Sequence, residues 1–162
     1  MLKGNEAVIE ANNVGTSQKA ISIYEELDPG KKLDVMMTCD SAFDIPLMHR
    51  AGCDTLLEKI STKAIVLVAR CKEPIGYAAM YANDLQNKTA FITMLAIRPE
   101  FQGMRIGRRL LLECEAKARE NGMRHIRLEV AKGNDRAIRL YQKCGFQIHD
   151  ESKSGFYMMK AL

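Results

Sequence analysis

A mixed α/β fold, with a helical N-terminal region leading into a mixed sheet, is predicted for this 162-residue chain by three observations. Ala64 to Cys71 is a continuous apolar run rich in Val and Ile, as a buried strand requires. From Ile106 to Asn121, Gly107, Leu110, Leu111, Cys114 and Ala118 recur at helical spacing, and Gly122 follows as a stop. His125 to Val130 alternates: Ile126, Leu128 and Val130 face one way, and His125, Arg127 and Glu129 the other.

Each element can be justified in turn. Residues 1 to about 16 have weak patterning and read as mobile. Ser17 reads as the cap of a short helix with Ile21, Tyr24 and Leu27 on one side, ending near Pro29-Gly30. Residues 31 to 61 read as helical pieces broken at Pro46 and Gly52, the last with Leu56, Leu57 and Ile60 as its apolar face. After the Ala64–Cys71 strand, Glu73-Pro74 is a turn. Ile75 to Ala82 is a second strand, Asn83 to Lys88 a polar hairpin loop, and Thr89 to Ile97 a third strand. Asn134 to Lys143 is a helix capped by Asn134 or Asp135, with Gly145 just beyond its end. Phe146 to Ile148 and Phe156 to Met159 close the sheet around a loop at Glu151 to Gly155. One domain over residues 1–162 is expected, with residues 1–60 as its helical part and 64–162 as the sheet core.

Composition narrows the function. Hydrophobic residues at 47% and charged residues at 27% describe an ordinary soluble protein, and no stretch is long enough to span a bilayer. Met1 to Glu10 has charges inside its short apolar run, so it does not read as a secretion signal. Five cysteines without a close pair argue against disulfides and against zinc, so no metal is expected and a reducing, cytoplasmic setting is. Residues 1–60 carry 6 Lys/Arg against 10 Asp/Glu, whereas residues 61–162 carry 18 against 10. The basic part suits an anionic ligand. Nucleic acid is disfavoured, because the charge is not continuous and aromatics are 6% with no tryptophan.

The chemistry concentrates between residues 98 and 146. In Gln102-Gly103-Met104-Arg105-Ile106-Gly107-Arg108, a glycine-bearing turn feeds a helix N-terminus. The first N–H groups of a helix lack intrahelical partners, and together with the helix dipole they favour an anion. Arg105, Arg108 and Arg109 crowd this start, where the dipole disfavours cations, and an incoming pyrophosphate would reverse that penalty. The bland alternative is a turn glycine, a packing glycine and a solvated basic face. On this turn alone the two readings weigh equally. Tyr141, taken singly, is a core tyrosine, Glu129 a solvated carboxylate and Asn134 a helix cap. Together they offer a base for an amine and a weak acid for a departing thiolate.

In combination these residues resemble the GCN5-related N-acetyltransferases, the GNAT family, over roughly residues 64 to 162. Gln102 to Gly107 matches the family's Q/R-x-x-G-x-G/A signature, followed by Leu110-Leu111. Leu128-Glu129-Val130, Asn134, Ala137-Ile138, Leu140-Tyr141 and Gly145-Phe146 match its second block. The resemblance implies a GNAT-like acyl-CoA N-acyltransferase fold. It also implies acetyl-CoA as cosubstrate and an amine acceptor attacked directly, with a homodimer left open. Leu95, Ala96 and Ile97 would pair their backbone with the pantetheine arm at a splayed strand end. The amides of Gln102, Gly103, Met104, Arg105, Ile106, Gly107 and Arg108 would surround the pyrophosphate, and Asn134 would bond the pantetheine. Tyr141 would be the general acid. Glu129 aligns with the catalytic glutamate of ribosomal-protein N-terminal acetyltransferases. Two departures stand out: Arg105 occupies the signature's central glycine position, and Thr89 to Leu95 contains no carboxylate, which shifts weight to Glu129 with Asp84 as a remote alternative. The acceptor is open among a protein N-terminus, a small amine and an amino sugar. A non-catalytic acyl-CoA-binding module is the rival reading.

Overall fold

A computed structural model describes residues 20–162. Seven strands form one sheet in the order β1-β2-β3-β4-β5-β7-β6. They are β1 (Ser22–Glu26), β2 (Ile65–Arg70), β3 (Pro74–Asp84), β4 (Thr89–Ile97), β5 (His125–Ala131), β6 (Gln147–Glu151) and β7 (Gly155–Ala161). Every neighbouring pair is antiparallel except β4 and β5. The helices are α1 (Pro29–Thr38), α2 (Cys53–Lys63), α3 (Ile106–Glu120) and α4 (Asp135–Lys143).

The sheet core agrees with expectation, because its strands and helices carry strong periodic signals. The segment before it differs. Ser22–Glu26 is an edge strand paired with β2, where a helix over Ile21 to Leu27 was expected. Ser17 and the weakly patterned first 16 residues lie outside the described residues. Pro29 opens a helix instead of closing one. It occupies the first turn of α1, where a missing N–H costs nothing, and Asp28 caps that turn by accepting from the Lys31 N–H at 2.8 Å. The helical pieces broken at Pro46 and Gly52 are present, and Gly52 starts α2 at φ 73°. Leu57 and Ile60 are buried, as their spacing predicts.

The core lies on both faces of the sheet. On one face α3 and α4 cover Leu67, Ala78, Met80, Ile92, Ile126 and Leu128. On the other, α1 and α2 cover Val66, Val68, Tyr77, Ala79, Met94 and Ala96. Strand β4 changes faces midway. Ala79 pairs with Met94 and Met80 with Ile92, so Thr93 is an extra residue, a β-bulge. Side chains alternate with period two, so one inserted residue exchanges the faces of everything after it. Ala90 and Ile92 therefore face α3, and beyond the bulge Leu95 and Ile97 take over that side. The parallel ladder between β4 and β5 stops at Ile92–Leu128. Past that point the two strands part, each still paired on its outer side.

Candidate active site

The gap between β4 and β5 opens into a cavity of about 1040 Å³. The end of β4, the turn before α3, the first turn of α3 and one side of α4 form its walls. The loop after α1 contributes Ala42, Phe43, Asp44, Ile45 and Arg50. The cavity thus draws on residues before position 60 and is not confined to the 64–162 stretch. Local periodicity gives no hint of that loop, because it reaches the site only through the packing of α1 on the sheet. Arg50 holds it in shape, donating from Nε and Nη2 to the Ile45 carbonyl and resting its guanidinium 4.8 Å from the Phe43 ring centroid.

At the end nearest α3, Gln102, Gly103, Arg105, Ile106, Gly107 and Arg108 all line the cavity. Gly103 has φ 84°, a conformation that suits glycine. Arg105 has φ 60° and forms the N-cap of α3 without any side-chain cap. A side chain in that region costs roughly 1–2 kcal/mol. Among the described residues no acceptor is assigned to the amides from Gly103 to Arg108, and the first turn carries no acidic side chain. Met104 is exposed and does not line the cavity, so only its backbone can contribute there. Arg109 turns away and donates to the Ile21 carbonyl at 2.9 Å, tying α3 to the N-terminal edge strand. Its place beside the cavity is taken by Arg136 of α4, which the sequence reading passed over. Arg136 donates to Gln102 Oε1, and Gln102 Nε2 donates to the Ile97 carbonyl at 3.0 Å.

Gly107 serves two purposes. It lines the cavity, and a Cβ built on it would come 3.1 Å from Leu140 Cδ2. The bland reading of a helix-packing glycine is therefore correct as well, because α3 crosses α4 at this point.

The three strand-end residues separate. The Arg98 N–H bonds Ile75 on β3, and backbone groups alternate along a strand. Leu95 and Ile97 therefore aim their N–H and C=O groups at the gap, and both side chains line the cavity. Ala96 is turned away: it pairs with Tyr77 of β3, and its side chain lies in the cluster under α1 and α2. The expected backbone pairing of Ala96 with a ligand is corrected on that ground, for Ala96 faces β3 while its two neighbours face the gap.

Tyr141 lines the cavity and is 8% exposed. Its ring meets Phe146 edge-on at 5.9 Å. Burial pushes its phenol up to about 12, with Cys114 and Cys144 nearby adding to the effect. Asn134 also lines the cavity; its Oδ1 accepts the Ala137 N–H at 3.1 Å, which leaves its Nδ2 group to donate.

Glu129 does not share the cavity with Tyr141. It is exposed on the opposite face of β5, beside a cleft of about 360 Å³ lined by Phe91, Thr93, Ser154 and Gly155. Gly155 makes room for it, since a Cβ there would lie 3.2 Å from Glu129 Oε1. Ala131 lines both the cleft and the cavity, so the two open toward each other where β4 and β5 part. Asp84 is elsewhere, in the β3–β4 hairpin. Its carboxyl accepts from the Asn87 N–H and Nδ2, both at 2.9 Å, and these bonds hold it below the usual carboxylate range.

Comparison with known proteins points the same way. The chain is 35% identical over 71 residues to a spermidine N(1)-acetyltransferase of Thermoplasma acidophilum, covering 44% of each protein. It is 29% identical over 94 residues to an uncharacterised N-acetyltransferase of Methanocaldococcus jannaschii, covering 56% of this chain and 42% of that one. The chain thus spans about half the length of the curated relatives it matches. In fold it resembles the PaiA N-acetyltransferase of Thermoplasma acidophilum, solved in complex with coenzyme A, with a TM-score of 0.70 at 19% identity over 88% of this chain and 99% of that one. The ribosomal-protein-S18-alanine N-acetyltransferase of Escherichia coli gives a TM-score of 0.70 at 17% identity, over 87% and 93%. The model of the acetyltransferase (GNAT) family matches residues 35–146. Parted central strands, a glycine turn with open amides at the start of α3 and a sequence match over most of the chain agree: this protein belongs to the GNAT acetyltransferase family.

Proposed function

We propose that this protein transfers an acetyl group from acetyl-CoA to a primary amine by direct attack. One observation carries the proposal. The β4–β5 ladder ends between a buried tyrosine on one face and an exposed glutamate on the other, so two substrates can meet through the sheet. The residues present fit acetyl-CoA. Open amides at the start of α3, with Arg105, Arg108 and Arg136 nearby, suit phosphates. Leu95 and Ile97 present strand edge toward the gap, although the Ile97 carbonyl is already held by Gln102, and Asn134 can donate from Nδ2.

Acetyl-CoA supplies an acetyl group activated as a thioester. A protonated amine is inert, and Glu129 accepts its proton, directly or through water, as the new C–N bond replaces the C–S bond. Tyr141 holds its O–H against the sulfur where negative charge develops. With the phenol near 12 against about 8.5 for an ordinary thiol, complete proton transfer is uphill. Tyr141 acts chiefly as a fixed hydrogen-bond donor, and solvent completes the protonation. Asp84 is a poor base in comparison, committed to its hairpin. Five free thiols suit a reducing compartment such as the cytoplasm. Cys114 is no rival nucleophile, since burial pushes its thiol up to about 12.

The test is release of free coenzyme A from acetyl-CoA in the presence of a panel of primary amines, with the acetylated amine identified by mass. Binding of coenzyme A without turnover of any amine would instead make the chain a non-catalytic acyl-CoA-binding module.

A further inference from the structure

Three residues lining the main cavity are joined to one another by hydrogen bonds. Arg136 of α4 donates from Nη1 to Gln102 Oε1, and Gln102 Nε2 donates to the Ile97 carbonyl at 3.0 Å. This chain of bonds runs from the start of α4 to the end of β4. The Ile97 carbonyl belongs to the strand edge that faces the gap, since the next N–H, that of Arg98, bonds Ile75 on the other side. By that point β5 has parted from β4. A strand edge without a neighbouring strand is a template for another extended run of amides. Here its last carbonyl is stoppered by a side chain.

The stopper is held at both ends of its amide. Gln102 has a long side chain that costs entropy to fix, and the bond from Arg136 helps to keep it in place. Arg136 itself is exposed, and its partner is a neutral group. Among the described residues no ion pair within 4 Å joins Arg136 to a carboxylate, and the same holds for Arg105 and Arg108 beside it in the cavity. Asp44 is the one carboxylate among the lining residues. Gln102 immediately precedes the glycine turn, so Arg136 already lies next to the open amides of α3. A guanidinium bonds a phosphate in a two-pronged, charge-assisted way, more strongly than it bonds a neutral amide. A diphosphate at that turn therefore draws Arg136 off Gln102, and a ligand shifts a conformation by just such a difference in affinity.

We infer that Arg136 and Gln102 form a latch that makes binding of a pantetheine arm conditional on the phosphates of the same molecule. With Arg136 on the diphosphate, Gln102 loses one of its two bonds and gives up the Ile97 carbonyl to a pantetheine N–H. The latch selects a thioester with a diphosphate at its far end. The same thioester on phosphate-free pantetheine meets a stoppered strand edge. The inference rests on the reading of this cavity as the acetyl-CoA site.

Two fragments of coenzyme A test it: pantetheine and inorganic pyrophosphate, titrated into isotope-labelled protein by NMR, which reads millimolar affinities. In the parent protein, pyrophosphate should strengthen pantetheine binding about 10-fold, the scale of one hydrogen bond, and pantetheine should strengthen pyrophosphate binding by the same factor. Pyrophosphate alone should shift the side-chain amide resonances of Gln102. Gln102→Met keeps the length of the side chain and loses both bonds. In that variant pantetheine should bind about 10-fold tighter than in the parent without pyrophosphate, and pyrophosphate should add less than about 2-fold. Gln102→Ala serves the same purpose if the Met variant melts early. Arg136→Ala should remove the coupling and weaken pyrophosphate binding. Independent binding of the two fragments to the parent, no pantetheine binding even with pyrophosphate, or coupling of full size in Gln102→Met overturns the latch. Calorimetry with intact coenzyme A keeps the two readings apart. Coenzyme A bound without coupling between its fragments removes the latch and leaves the cavity reading standing, whereas no binding of coenzyme A removes both.

Discussion

Tyr141 and Glu129 sit in opposite surroundings, and the roles proposed for them follow from that. Burial keeps the Tyr141 phenol neutral, so it can donate a hydrogen bond at any working pH. Tyr141→Phe keeps the ring and its edge contact with Phe146 and removes only the donor. We expect kcat to fall by roughly 10²–10⁴-fold while acetyl-CoA affinity by calorimetry changes little. Near-parental turnover would mean that water alone serves the leaving sulfur. Glu129 is exposed, within reach of solvent. Glu129→Gln should lower kcat/KM most at low pH, where the amine is mostly protonated, and least at high pH, where solvent has already removed the proton. A loss equal at every pH would assign Glu129 to positioning the acceptor.

At the scale of elements, the contact between α3 and α4 links the glycine turn to the tyrosine. Gly107 packs on Leu140, the neighbour of Tyr141. A bulky replacement there does not probe binding alone. Gly107→Ala asks Leu140 to yield by a few tenths of an ångström and gains helix propensity, so thermal stability should change little. Gly107→Val should lower both the melting temperature and coenzyme A affinity, because α4 must move with Leu140. Lost affinity in a fully stable Gly107→Val protein would show that the side chain blocks the ligand and leaves the packing untouched. The bulge at Thr93 is the other decisive element. It hands Leu95 and Ile97 to the cavity face, and nothing in the alternation of Thr89 to Ile97 announces it.

For the molecule as a whole, the buried neutral acids are expected to set the alkaline limit of stability. Burial pushes Cys39 and Cys114 from an ordinary value of 9.0 to about 12 and Tyr141 from 10.0 to about 12, and Tyr77 rises as well. In the unfolded chain these groups lose their protons first. Their stabilising effect is fully present below about pH 9 and is lost as pH rises toward 12, at up to about 1.4 kcal/mol per pH unit for each group. The melting temperature should therefore hold up to about pH 9 and fall steadily above it. Replacing both Cys39 and Cys114 with Ala should flatten the early part of that fall. A melting curve unchanged between about pH 8 and 11 would show that these groups ionise without unfolding the protein.

Local sequence alone determined the main strands of the sheet, α3, α4 and the glycine turn, because periodicity, caps and stop signals are properties of neighbouring residues. It also singled out Tyr141, Asn134 and the Gly103–Arg108 turn as candidates, since each belongs to a block that resembles the GNAT family, whereas each read by itself was a core tyrosine, a helix cap and an ambiguous turn. Ser22–Glu26 was misread, because an isolated edge strand is defined by its partner β2 and not by its own pattern. Only the tertiary structure decided the rest. The bulge turned Ala96 away from the gap, and packing swung Arg109 to Ile21 and brought Arg136 to Gln102. The same packing set Glu129 and Tyr141 on opposite faces of one opening and folded the loop after α1 over the cavity. Each of these depends on which residues meet across the sheet, and that is a consequence of packing distant segments together rather than of any stretch of sequence read by itself.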